Sequence, residues 1–208
     1  MRRPVFIATQ ARHPHGLLGA ILGRLMAHET AADNERAIAM LRIESKDRVL
    51  DIGTGHGRSL GVMADLADKG LVVGVDASDT VLRIAARRNR TSIKAGRVRL
   101  EKAPSDALPF GDASFDKAMA VHTLYFWNPA QPHLREIARV LKKNGLFVVG
   151  FRPAEDAIVT ARFPDTVYTF RTMATVEALL VDAGFEIIES RRREVPGDSM
   201  TWLLARRT

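Results

Sequence analysis

The chain has 208 residues, 46% of them apolar and 26% charged, and it contains no cysteine. That length fits one α/β domain with additions, and the composition excludes a disordered or collagen-like chain. Disulfides and thiolate metal sites are excluded outright. The 31 basic residues against 24 acidic ones leave a net charge of +7, which attracts anions from a distance.

Met1-Arg2-Arg3 carries the charge of an export signal's first region, but Thr9, Gln10 and Arg12 break the apolar run that follows. The segment is too short for export. No run approaches the roughly 20 apolar residues of a membrane-spanning helix, and a cytoplasmic protein is expected. His13 and His15 flank Pro14, yet two imidazoles without carboxylate or thiolate support do not make a metal site, and no metal is expected. Gly16 to His28 (GLLGAILGRLMAH) has helical apolar spacing, and Ala31 to Leu41 gives a second helix. Residues 1–44 therefore read as a helical lead ahead of a domain spanning 45–208.

From Arg48 the pattern changes to short apolar runs alternating with helical segments, the mark of βαβ units and a mostly parallel sheet. The runs are Arg48 to Ile52, Leu71 to Val75, Val98 to Glu101, Phe115 to Val121 and Leu146 to Phe151. Helices fit between them. One begins at about Arg58, and another at Thr80, where Ser78 or Asp79 can cap the first turn. Asn128-Pro129 reads as a cap and first-turn pair, with Leu134, Ile137, Ala138 and Leu141 as the buried stripe and Asn144-Gly145 as the stop. Val176, Leu179, Leu180 and Ala183 repeat that spacing up to Gly184. Two final runs, Phe185 to Arg193 and Met200 to Arg206, flank the turn signal Pro196-Gly197-Asp198. They predict an antiparallel hairpin closing the sheet.

Basic residues cluster between Arg83 and Lys102 and again at Arg191 to Arg193, but no aromatic residues are interleaved with them. Solvated faces are expected there, and nucleic acid is not expected as a partner.

The stretch VLDIGTGHGRSLG, Val49 to Gly61, joins a strand to a helix through Gly53, Gly55 and Gly57. Glycines at such a turn let a ligand approach the backbone without a Cβ in the way. The second strand ends in Asp76, about 20 residues beyond the loop, where an acid reaches the two hydroxyls of an adenosine ribose. Loop and acid together select an adenosine-containing cofactor. A dinucleotide wants G-x-G-x-x-G and a seat for its pyrophosphate, whereas this loop is G-x-G-x-G with Asp51 two residues ahead. That carboxylate disfavours an anion and suits a cofactor carrying an ammonium and a sulfonium. A nicotinamide-dependent oxidoreductase is the competing reading.

VLDIGTGHG, VVGVDAS, APSDALPFGDASFDKAMAVHTLYFW and EIARVLKKNGLFVVGF, in this order, resemble the motifs of class I S-adenosylmethionine-dependent methyltransferases. The likeness is strongest to small bacterial enzymes in which a G-L-L-G-x-x-x-G-x-L-M helix precedes the domain. It implies a Rossmann-like, doubly wound, mostly parallel seven-stranded sheet with a C-terminal antiparallel hairpin and N-terminal lid helices, S-adenosyl-L-methionine as cofactor and a small-molecule methyl acceptor. RNA and phospholipid stand as alternative acceptors. Carried over residue by residue, Asp51 lies near the methionine ammonium, with Gly53, Thr54, Gly55 and Gly57 against the amino-acid part. Asp76 holds the ribose, Ala77 packs near the adenine, and Ser105 and Asp106 border that ring. The family often has an acid where this chain has Pro104, and Asp106 is the substitute.

Methyl transfer from a sulfonium needs alignment, exclusion of water and, for some acceptors, removal of a proton. The end of the fourth strand is where ligands bind in open α/β sheets. His122 there is a candidate base or cofactor-orienting group. Tyr125 is a second candidate as base or pocket wall, and Trp127 can attract the sulfonium by a cation–π contact. Phe163, Tyr168 and Phe170, between Arg152 and Thr172, form an expected second wall for the acceptor.

Overall fold

The computed structural model describes residues 4–12 and 30–208, without the side chains of residues 11 and 12. The expected helix at Gly16 to His28 and the His13/His15 pair lie outside the described residues. Helix α1 (Val5–Arg12) stands in what the sequence presents only as a basic lead, and α2 (Ala31–Leu41) follows the expected span. Then come β1 (Arg48–Ile52), α3 (Arg58–Leu66), β2 (Leu71–Asp76), α4 (Asp79–Arg88), the short α5 (Arg90–Lys94) and β3 (Val98–Lys102). Next are β4 (Phe115–Val121), a 3₁₀ turn (Leu124–Phe126), α6 (Gln131–Val140) and β5 (Leu141–Phe151). The short α7 (Ala157–Thr160), α8 (Met173–Asp182), β6 (Phe185–Arg193) and β7 (Met200–Arg207) complete the chain.

Seven strands form one sheet in the order β3-β2-β1-β4-β5-β7-β6. The first five run parallel, and β7 pairs antiparallel to both β5 and β6. Because successive strand residues face opposite sides, the apolar runs feed two cores. Leu50, Ile52, Ala118, Ala120, Phe147 and Val149 pack with Leu134 and Ile137 of α6 and Val176 and Leu180 of α8. Val49, Val72, Met119 and Val148 pack on the other side with Ala37 and Leu41 of α2 and Leu60 and Met63 of α3. Strand order reverses between β1 and β4, so the carboxyl ends of those two strands open a crevice.

Three local expectations are corrected. Asn128 does not cap α6: that helix starts at Gln131 behind Ala130, and Pro132 is its first-turn proline. Asn144-Gly145 does not end the helix either, because β5 begins directly at Leu141. The pair sits inside that strand, where the β4–β5 register shifts, with Asn144 at φ +63°. Ser78 precedes α4 but makes no side-chain cap; its backbone N–H instead donates to Asp76 Oδ1 at 2.9 Å.

Candidate functional site

Asp51 is the next-to-last residue of β1 and points to the α2/α3 side of the sheet, 3% exposed. The Thr54 hydroxyl donates to its Oδ2 at 2.8 Å. Burial pushes the Asp51 carboxyl up to about 7; the Thr54 hydrogen bond works against that, and the nearby Asp76 charge adds to it.

The loop after β1 spends its own amides internally. Gly53 and Thr54 N–H both donate to Val75 O, at 2.8 and 3.0 Å, and Gly57 N–H donates to Thr54 O at 3.0 Å. Gly55 N–H donates to Asp76 Oδ2 at 3.0 Å. A pyrophosphate needs such amides turned toward it, and here a carboxylate and carbonyls already hold them. Gly53 must be glycine: it sits at φ +70°, and a Cβ would lie 2.2 Å from Thr123 Cγ2. Gly57 has a different task from the one expected. It lies off the cavity wall at the start of α3, where a Cβ would meet Ala85 Cβ and Asn89 Nδ2 at 2.7 Å, so it permits α3 to approach α4.

These residues border a cavity of about 480 Å³, a size that holds a cofactor-sized ligand. Asp51, Gly53, Thr54, Gly55, Asp76, Ala77, Ser105, Asp106 and His122 all line it, and the sequence had singled out each of them. Gln10 of α1 and Thr30 and Asn34 at the start of α2 line it as well, as do Arg58, Phe126, Trp127 and His133. Ser105 Oγ lies 2.8 Å from His133 Nδ1, and the His133 ring stacks on Trp127 with centroids 5.1 Å apart and 8° between planes. The two stacked rings form part of the cavity wall. Trp127 therefore faces the cavity, but its stacked partner is an imidazole.

Tyr125 is not among the cavity-lining residues. It is buried in the core against Tyr168 and Phe170, its hydroxyl accepts from Arg152 N–H, and burial raises its pKa far above neutrality. A group so placed cannot take a proton from an acceptor, which corrects the expected base or wall role. Phe163, Tyr168 and Phe170 likewise stand behind the cavity wall, packing around Tyr125 and Phe126. Their segment braces the wall through Arg171, which donates to Leu124 O at 3.0 Å and Trp127 O at 2.5 Å.

His122 follows β4 with φ +59°. Its Nε2 lies 2.9 Å from Asp33 Oδ2 and its Nδ1 3.2 Å from the Tyr125 hydroxyl. One tautomer satisfies the whole chain: Nε2–H donates to Asp33, Nδ1 accepts from Tyr125, and Tyr125 accepts from Arg152. Both ring nitrogens are thus engaged within the protein, on the wall of the cavity. Sequence reasoning missed Asp33 altogether. It stands on α2, 89 positions from His122, and also takes a 2.7 Å bond from Arg193 Nη1, 160 positions away. Nothing in the sequence singles it out, since it stands in AADNERAIAML directly before Asn34, Glu35 and Arg36.

A family profile described as a methyltransferase domain matches residues 50–149. The O-methyltransferase cnsE of Penicillium expansum is 32% identical over 148 residues, which cover 69% of this chain and 53% of that protein. The methyltransferase YdaC of Bacillus subtilis is 30% identical over 135 residues, 65% of this chain and 72% of YdaC. The chain thus spans about half of one relative and nearly three-quarters of the other. Among solved structures, a SAM dependent methyltransferase from Aquifex aeolicus superposes with a TM-score of 0.70 over 85% of this chain and 90% of its own, at 21% identity, a likeness of fold. Sheet order, cavity and sequence agree, and the chain belongs to the class I S-adenosylmethionine-dependent methyltransferase family.

Proposed function

We propose that the chain moves a methyl group from S-adenosylmethionine to a small-molecule acceptor by in-line displacement. The loop between β1 and α3 carries this reading. Its amides at Gly53, Thr54, Gly55 and Gly57 are held by Val75, Asp76 and Thr54 while two carboxylates border the cavity. Such a cradle repels phosphate and favours a phosphate-free cation, which fits the cofactor and opposes the nicotinamide alternative.

In this assignment Asp51 meets the amino-acid ammonium, Asp76 exchanges its Gly55 contact for the ribose hydroxyls, and Ala77, Ser105 and Asp106 border the adenine. The cofactor supplies a methyl group already activated on a sulfonium. The protein's part is to orient the acceptor and exclude water. Gln10, Thr30 and Asn34 line the cavity from the N-terminal helices, which supports a lid function for the lead. The division at residue 44 is proposed on that ground, as cover against catalytic domain. Among the described residues no helix is long and apolar enough to cross a membrane. A cytoplasmic location is part of the proposal, and the cysteine-free composition suits it.

The test is transfer of isotope-labelled methyl from S-adenosylmethionine to a panel of phenols, amines, thiols and carboxylic acids, with RNA and phospholipid vesicles in parallel. Label in a small acceptor with stoichiometric S-adenosylhomocysteine is expected. Label only in RNA or lipid, or binding without any turnover, contradicts it.

A further inference from the structure

Arg193, Asp33 and His122 form an unbroken chain from β6 through α2 to the cavity wall. Arg193 Nη1 donates to Asp33 Oδ1 at 2.7 Å, and His122 Nε2 lies 2.9 Å from Asp33 Oδ2. Asp33 is 2% exposed, and the Arg193 side chain only 31%, so the pair is shielded from solvent screening. Its frame is rigid. Trp202 Nε1–H donates to the Asp33 backbone O at 3.0 Å, and the Arg193 guanidinium lies 5.7 Å from the Trp202 ring centroid. A buried aspartate beside a histidine ordinarily pulls a proton onto the ring. Arg193 cancels that pull by satisfying the aspartate's charge.

We propose that Arg193 and Asp33 are positioning residues that fix the orientation of His122 while keeping it uncharged, so that the stretch of cavity wall at the end of β4 adds no cation facing a sulfonium. The inference rests on the cofactor assignment above. Burial lowers the His122 pKa, Asp33 opposes that by hydrogen bond and charge, and Arg152 and Arg193 act with burial. Asp33 is held in its charged form, because its bonds from His122 and Arg193 outweigh the burial that opposes ionisation. Among the described residues, the charged and titratable groups facing His122 are Asp33 from α2, Arg193 from β6, Arg152 just after β5 and Tyr125 from the 3₁₀ turn. Of the four, only Arg193 is a cation in direct contact with Asp33; its guanidinium is shared with Asp198, which also pairs with Arg152.

Replacing Arg193 with glutamine leaves Asp33 facing His122 without that cation, and the pair takes up a proton at higher pH than in the wild type. Two measurements on the full chain test this. Nitrogen-15 NMR titration of the histidines, with His122 assigned from His122→Gln, is expected to show an Nε2–H ring that protonates only below the ordinary histidine range in the wild type. In Arg193→Gln the same ring protonates at higher pH, and Arg193→Lys restores the wild-type titration. Calorimetry then compares S-adenosylmethionine with S-adenosylhomocysteine, which differ in charge only at sulfur, so the contribution of Asp51 to ammonium binding cancels. The affinity ratio is expected to stay level from pH 8 to 6 in the wild type and to move against the sulfonium by on the order of fivefold in Arg193→Gln. The double variant Arg193→Gln/His122→Gln should return to a level ratio. An unchanged His122 titration, or a level ratio in Arg193→Gln with both ligands bound, overturns the inference; failure of both ligands to bind the folded wild type overturns the cofactor assignment beneath it.

Discussion

The folded chain makes ionisation of Asp51 costly, and in the proposed assignment an ammonium offsets that cost. Burial raises its pKa from 3.8 to about 7. Between those values the ligand-free fold holds a proton that the unfolded chain has released, so the residue's contribution to stability falls as pH rises through 7. Binding an ammonium reverses the balance and expels the proton. Affinity for S-adenosylhomocysteine should therefore strengthen as pH rises toward 7, by up to about tenfold per unit, and level off above it. Calorimetry in two buffers of different ionisation enthalpy reads the released proton directly, and Asp51→Asn should abolish both effects. Proton-independent binding by the wild type at pH 6 contradicts this assignment. Asp51 and Asp76 were legible in the sequence because their meaning depends on short spacings within one βαβ unit. Asp33 and Arg193 were not, since their partnership exists only after β6 and α2 are brought together beside β4. Arg193 in particular read as one of three arginines on a solvated hairpin, yet its side chain is mostly covered. Tyr125 misled for a related reason: proximity to His122 in sequence does not tell which side of the cavity wall a ring occupies.

Elements that shape the site differ in how they are held. Asp156, at the start of α7, clamps that short helix to the β6–β7 turn. Its Oδ1 accepts from Ile158 and Val159 N–H at 3.1 and 3.0 Å, and its Oδ2 from Gly197 and Ser199 N–H at 3.0 and 3.2 Å. Burial works against its ionisation, but the bonds from Ser199, Val159 and Gly197 prevail and bring its pKa to about 2. The stability it adds is present above its ordinary value and is lost as pH falls toward 2. Asp156→Ala should cost about 1–3 kcal/mol in urea unfolding at pH 7, and the difference from wild type should shrink between pH 4 and pH 2. A difference that persists undiminished at pH 2 refutes the clamp. Helix α1 is the opposite case. Ala8 is buried, but Val5 and Phe6 are more than half exposed, so α1 adds little to the core while Gln10 reaches the cavity. Removing residues 1–12 should speed S-adenosylhomocysteine dissociation in stopped-flow and leave the cooperative unfolding transition intact. An unaltered dissociation rate argues against a cover. The missed start of α6 has a local cause: Asn128-Pro129 and Gln131-Pro132 both offer first-turn prolines, and the second wins.

The whole molecule is a sheet whose order could be anticipated from alternating runs and a closing hairpin, because each strand's apolar faces had to meet helices on both sides. Its net charge of +7 is less available than the count implies. Arg97, Arg99 and Lys102 within the main basic run pair with Asp65, Glu101 and Asp79, leaving Arg83, Arg87, Arg88, Arg90 and Lys94 exposed on α4 and α5. The central claim is that a glycine loop flanked by Asp51 and Asp76 is built for a phosphate-free, adenosine-containing cation. Calorimetry of S-adenosylhomocysteine and NADH against the wild type and Asp76→Ala tests it most directly. The account predicts binding of S-adenosylhomocysteine alone, weakened at least tenfold by Asp76→Ala through loss of the ribose contacts, about 1.4 kcal/mol or more. Equal affinity in the two proteins, or tighter binding of NADH than of S-adenosylhomocysteine, would contradict it.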